Sequence, residues 1–287
     1  MATADELADT VEMALLCIEE RGAGIGRIEG LLERVTDGEQ PRLDLALRTM
    51  RRRQTLLGDA YPFDVQDVAI RRDDAWPSLA YSWLLAMSPS GLSRELMNFD
   101  DISVAAVKFE RIVVEAVQSY LGNGAKAVRF AWPSDTGRPQ EFPEAIKWLA
   151  GLMGVRLGGG YRQPRRKDGG VDVIGWRPFR DGKSGFPIVL VQCTIQADLV
   201  SKSLDIDVRN WSSWLELVHD PSTILTAPQV VPGNTEIWNE LALKNLVFDR
   251  VRLVELLGRN LSLPLQEEMS AWLLVIVQKV RVRIEST

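Results

Sequence analysis

Two short β-rich runs, over residues 171–176 and 188–195, constrain this chain most. A turn-prone stretch over 180–185 separates them, so the pair predicts a hairpin. Val171, Val173, Ile174 and Trp176 populate the first run, and Ile188, Val189, Leu190 and Val191 open the second. Each run carries one residue that its apolar neighbours do not predict: Asp172 in the first, Gln192 in the second. Along a strand, side chains alternate between faces. Gln192 and Thr194 therefore share one face, and Val191, Cys193 and Ile195 the other.

Helical spacing dominates elsewhere. Val11, Ala14, Leu15 and Ile18, then Leu43, Ala46, Leu47 and Met50, recur at helical intervals. Gly22, Gly24 and Gly26 break the first of these helices, and a third apolar run covers residues 76–85. After a break at Pro89-Ser90-Gly91, an N-cap cluster at Asp100-Asp101 starts a long amphipathic helix. Its stripe of Ala105, Phe109, Ile112, Val113, Ala116 and Val117 faces a core, and Gly122-Asn123-Gly124 ends it. Taken at about 100° per residue, Glu110 falls on the flank of that stripe and Glu115 points outward. A short helix over 143–153, candidate strands over 128–132 and 223–231, and further helices complete the pattern. The expected fold is α/β, a mixed sheet flanked by helices, with an N-terminal helical region over 1–95 and a second domain over 96–287 that includes a C-terminal helical extension. The apolar run over 271–277 reads as a buried helix, because it falls well short of the roughly 20 residues that span a bilayer.

Composition narrows the function classes. Hydrophobic residues make up 46% and charged residues 25%, which suits a folded globular chain rather than a disordered one. A net charge of −5 has the wrong sign for gripping nucleic acid over the whole surface, so such contact must be local. The basic set Arg162, Arg165, Arg166 and Lys167 is the patch nearest the hairpin; Arg51-Arg52-Arg53 reads as a solvated helix face. Cys17, Cys193 and the single His219 have no zinc-ligand spacing, and with an acidic N-terminus that lacks a signal pattern they predict a cytoplasmic protein without membrane contact. Gly182-Lys183-Ser184 is not a phosphate loop, because Arg177 stands where a glycine is required. Most of the nine tryptophans, Trp211 and Trp214 first, read as core.

Hard oxygen ligands that converge from two strands and a helix are what a divalent cation needs to cut a phosphodiester. Glu110, Asp172 and Gln192 are the candidates. Asp172 also has a structural reading, as the cap of a turn after Gly169-Gly170, and Gln192 another, as a hydrogen-bonded core amide. The order Phe109-Glu110, then Gly169-Gly170-Val171-Asp172-Val173-Ile174, then Val189-Leu190-Val191-Gln192-Cys193-Thr194 resembles the Mrr-like branch of the PD-(D/E)xK restriction nucleases over about residues 105–200. The resemblance implies a restriction-endonuclease-like core and a Mg²⁺- or Mn²⁺-dependent endonuclease, acting on DNA in defence against phage or foreign DNA. It implies a site of Glu110, Asp172 and Gln192, with all three as metal ligands. Thr194 stands where the branch has lysine and cannot carry its charge. Lys202 is the substitute, and Arg162, Arg165, Arg166 and Lys167 would contact phosphates. The acidic balance suggests a partner protein docked on the N-terminal helices, and a homo-oligomer is compatible with the sequence. A different class is also compatible: a nuclease-fold subunit that no longer cuts and serves as a nucleic-acid-binding or assembly scaffold.

Overall fold

A computed structural model of the chain describes residues 3–35, 43–89, 91–160, 162–164, 166–233, 235–258 and 261–286. The chain forms two compact units: Met1–Ala105 with Pro228–Pro232 and Asp249–Thr287, and Ala106–Ala227 with Gly233–Phe248. The division differs from the expected boundary near residue 95. It falls inside the helix Phe99–Leu121, and the C-terminal segment groups with the N-terminal unit rather than extending the second. Sequence spacing does not reveal which core a distant helix joins.

In the first unit, the helices Ala4–Cys17, Leu43–Leu57, Ala80–Met87 and Leu263–Ser286 bury apolar faces. This region is not purely helical. Three short strands, β1 (Gly22–Gly24), β2 (Phe63–Val65) and β3 (Ala69–Arg72), form an antiparallel sheet in the order β1-β3-β2. Strands of three or four residues are too short to display alternation, so helical periodicity on either side conceals them. The Arg51-Arg52-Arg53 triplet also departs from its expected role. Arg53 is buried and donates to Asp5, Asp9 and Glu12. Arg250, equally buried, donates to both carboxylate oxygens of Asp9 at 2.7 Å. In the last helix Leu273, Ile276 and Val277 are buried, whereas Leu274 and Val275 are more than half-exposed or half-exposed, so the run over 271–277 is amphipathic rather than buried throughout.

The second unit is mixed α/β. Its five-stranded sheet runs β4 (Lys126–Arg129), β5 (Val173–Trp176), β6 (Ile188–Cys193), β7 (Ser222–Thr226), β8 (Leu246–Phe248). β4, β5 and β6 pair antiparallel, and β6, β7 and β8 parallel, so the sheet is mixed. The predicted hairpin is present, with Val173 opposite Val191 and Trp176 opposite Ile188. β8 has three residues and escaped the helical reading of the C-terminal part.

Helices cover both faces of this sheet. Ile174, Trp176 and Leu190 join a core with Ala145, Ile146 and Leu149 of the helix Phe142–Met153 and with Trp211 and Trp214 of the helix Val208–Trp214. On the opposite face the helix Phe99–Leu121 lies so close to β5 that a Cβ on Gly175 would collide with Val117. Glycine at 175 therefore sets the height of that helix over the sheet, and with it the position of Glu110 two turns earlier. Among the described residues no helix is long and apolar enough to cross a membrane.

Candidate functional site

Asp172 sits one residue before β5. Its backbone N–H donates to the Val191 carbonyl at 2.9 Å, so the strand pairing extends through it. Its own carbonyl accepts from both Phe130 and Ala131, two residues of the β4 side facing one of the β5 side. This is the pairing of a bulge. The extra residue lies on the β4 side, and Val171 and Ile174, three positions apart, both pack in the core of this unit.

The turn that delivers Asp172 is specified by its glycines. Gly169 and Gly170 have φ of +67° and +78°, a region that side chains disfavour, and a Cβ on Gly170 would strike the Asp205 carbonyl oxygen. The cap of this turn is Asp168, whose Oδ1 accepts from Gly170 at 2.9 Å. Asp172 is thus not the capping residue. Gly170 against the backbone of Asp205 also ties the segment after the short helix Leu199–Lys202 to the approach of β5.

Asp172 and Gln192 meet directly. Asp172 Oδ2 accepts from Gln192 Nε2 at 2.8 Å and from the Cys193 backbone N–H at 2.7 Å, which leaves Oδ1 without a hydrogen bond among the described residues. Gln192 Nε2 donates also to the Cys193 carbonyl at 3.1 Å, while its Oε1 is buried with no hydrogen-bond partner. A satisfied core amide would use both ends, and an unpaired buried acceptor costs about 1–3 kcal/mol. Among the described residues, the buried Gln192 Oε1 thus lacks a partner beside Asp172 Oδ1, which accepts no hydrogen bond.

Glu110 approaches from the helix. Its Oε2 accepts from Nε of Arg129, a buried arginine on β4 that also donates to Asp135 and to the Pro133 carbonyl. Burial pushes the Asp172 carboxyl well above the usual carboxylate range, and the nearby Glu110 charge pushes it further. Burial raises Glu110 too, against the pull of Arg129. Asp168 adds to the negative field on both. Burial, more than neighbouring charge, is what holds both carboxyls above their usual range. Among the described residues no three His, Cys, Asp or Glu side chains form a metal-holding group, so a cation here would draw on the Gln192 amide oxygen beside the carboxylates.

Thr194 is buried and accepts from the Gln196 backbone at 3.1 Å; it is a turn residue. Lys202 is the last residue of its short helix, close enough for its charge to act on Asp172, yet its Nζ lies 3.6 Å from Asp205. Arg166 pairs with the same carboxylate at 2.9 Å. Arg162, Arg166 and Lys167 are exposed, Lys167 lies over the Trp132 ring at 3.8 Å, and Arg162 faces Asn210 at 3.4 Å. Arg165 lies outside the described residues. Sequence reading missed Arg129 and Asp205. Arg129 carries the same signal that marked Asp172, a charge inside the apolar run Ala127, Val128, Phe130.

The fold and site define a mixed α/β protein with paired polar residues on adjacent strands of its sheet. No protein-family model, curated protein or solved structure matches the chain.

Proposed function

We propose that this chain is a metal-dependent endonuclease with a restriction-endonuclease-like core, acting on DNA and serving defence against foreign DNA. The reading is carried by the buried, unpartnered Gln192 Oε1 beside Asp172, an arrangement that leaves acceptors unsatisfied until a cation arrives. Asp172 and Gln192 would hold Mg²⁺ or Mn²⁺, both of which favour oxygen ligands. When bound, such an ion supplies an activated water at neutral pH and neutralises charge on the scissile phosphate. Glu110, engaged by Arg129, completes the negative field and becomes a ligand if the arginine moves to the phosphate. Lys202, released from Asp205, supplies the charge that Thr194 lacks. Arg162, Arg166 and Lys167 offer a local cationic surface in an acidic chain.

The test is cleavage of supercoiled plasmid by the purified chain with Mg²⁺ or Mn²⁺. Nicked or linear product is expected from the wild type and none from Asp172→Ala. Equal cleavage by that variant would remove the site from the reaction. A second reading, a nuclease-fold scaffold that binds without cutting, is favoured by Thr194 and by the Lys202–Asp205 pair. It predicts no cleavage with any divalent metal.

A further inference from the structure

In the second unit, the segments after β4 and before β5 line a groove of about 500 Å³. Its size falls within the ~300–1,000 Å³ of small-ligand sites. Trp132 forms one wall with 41% of its surface exposed, in contrast to the buried Trp176, Trp211 and Trp214. Gln140 and Gln163 present uncharged amides, and the lining carries two cations, Arg166, which is paired with Asp205, and Lys167, against one carboxylate, Glu141. Lys167 Nζ sits 3.8 Å from the centroid of the Trp132 ring, which pairs a cation with an aromatic face in solvent.

The groove is built beside the Asp172 site. Phe130 and Ala131 hold the Asp172 carbonyl, and Trp132 is the next residue. Arg138 Nη2 donates to the Lys167 carbonyl at 2.6 Å, joining the two walls. Asp168 follows Lys167 and caps the turn that leads to Asp172.

We infer that this groove receives one unpaired nucleotide of the DNA strand that runs to the Asp172–Gln192 site, with its base stacked on Trp132. The amides of Gln140 and Gln163 donate to and accept from the polar edge of the base, and Arg166 and Lys167 take the adjoining phosphate. Lys167 leaves the indole for that phosphate and frees the ring. A base inside a duplex has neighbours on both faces and cannot offer one to an indole. The substrate class is therefore DNA with an unpaired stretch at the cut, such as a single strand, flap or overhang. The inference rests on the nuclease reading for the identity of the strand, and its test is independent of cutting.

The full-length protein is titrated in EDTA into a fluorescein-labelled 15-residue oligothymidylate and into a duplex of equal length, read by anisotropy. The single strand is expected to bind at least about tenfold more tightly than the duplex, and Trp132→Ala to lose about tenfold of that affinity. Trp132→Phe, which keeps an aromatic face, retains most of it. Lys167→Ala lowers the dependence of log affinity on log salt by about one. Melting curves establish that each variant is folded. Equal affinity for both forms, no binding, or a folded Trp132→Ala variant with unchanged affinity overturns the inference. Cleavage with Mn²⁺ separates the two readings. The expected binding pattern without cleavage of either form keeps the groove and sinks the nuclease; cleavage that Trp132→Ala leaves untouched keeps the nuclease and sinks the groove.

Discussion

Gln192 gives its amide N–H to Asp172 Oδ2 at 2.8 Å and keeps its Oε1 buried and unused. On the proposed metal-dependent reading, the pair would supply half of a coordination shell. One oxygen of the carboxylate is fixed by Gln192 and by the Cys193 N–H, and its other oxygen and the amide oxygen have no protein partner among the described residues. Protonation of Asp172 is the alternative response to this burial.

The first prediction is a pH dependence. Burial, reinforced by Glu110, raises the folded-state pKa of Asp172 above its unfolded value of about 3.9. Between those two values the folded protein binds more protons than the unfolded chain, so stability falls as pH rises from about 4 through the raised pKa and is flat above it. Wild type in EDTA should therefore lose more stability between pH 4 and 7 than Asp172→Asn does. Mn²⁺ at saturating concentration should raise the melting temperature of the wild type and leave Asp172→Asn unchanged. Parallel pH profiles for the two proteins would refute the raised carboxyl.

Arg129 holds a carboxylate that burial already disfavours. Arg129→Met leaves the largely buried Glu110 without its cation and should cost about 2–4 kcal/mol in urea denaturation. Adding Glu110→Gln should recover a large part of that loss, because the stranded charge is removed. A double variant as unstable as the single one would show that the two residues are not coupled.

Gly175→Ala places a methyl group against Val117, with Val189 Cγ2 3.0 Å away. Both neighbours are β-branched and cannot swing aside easily. The expected cost is about 1–3 kcal/mol, read by thermal or urea unfolding. A neutral effect would mean that the helix carrying Glu110 shifts freely over the sheet.

In the first unit, adjacent arginines should respond very differently. Arg53→Ala takes one of the two buried cations from Asp9 and Glu12, leaving Arg250 on Asp9 and only tyrosine hydroxyls hydrogen-bonded to Glu12, and should destabilise by about 3–5 kcal/mol. Arg52→Ala, at an exposed position next in the chain, should change stability by no more than about 0.5 kcal/mol. Equal effects would contradict the buried network.

Much of the second unit was legible from local pattern. The hairpin, the helix ending before Gly122, and the charge within each apolar run follow from periodicities of 2 and 3.6 that a chain must satisfy to bury one face. Asp172 and Gln192 stood out because burying a polar group has a cost that needs a reason. Neither periodicity nor composition distinguishes Arg53 from Arg52, since their difference is whether Asp9 and Glu12, some forty residues earlier, are within reach. The same holds for Arg129 on Glu110.

Strands and helices of ordinary length, and the polar residues that interrupt them, are set by the order of residues, because those properties depend on neighbours a few positions away. Packing in space is what brings Arg53 to Asp9 and Arg129 to Glu110, leaves Gln192 with an open acceptor, and keeps Trp132 in solvent beside Lys167. Ion pairing and hydrogen bonding act over a few ångströms of space, and only the folded chain sets those distances.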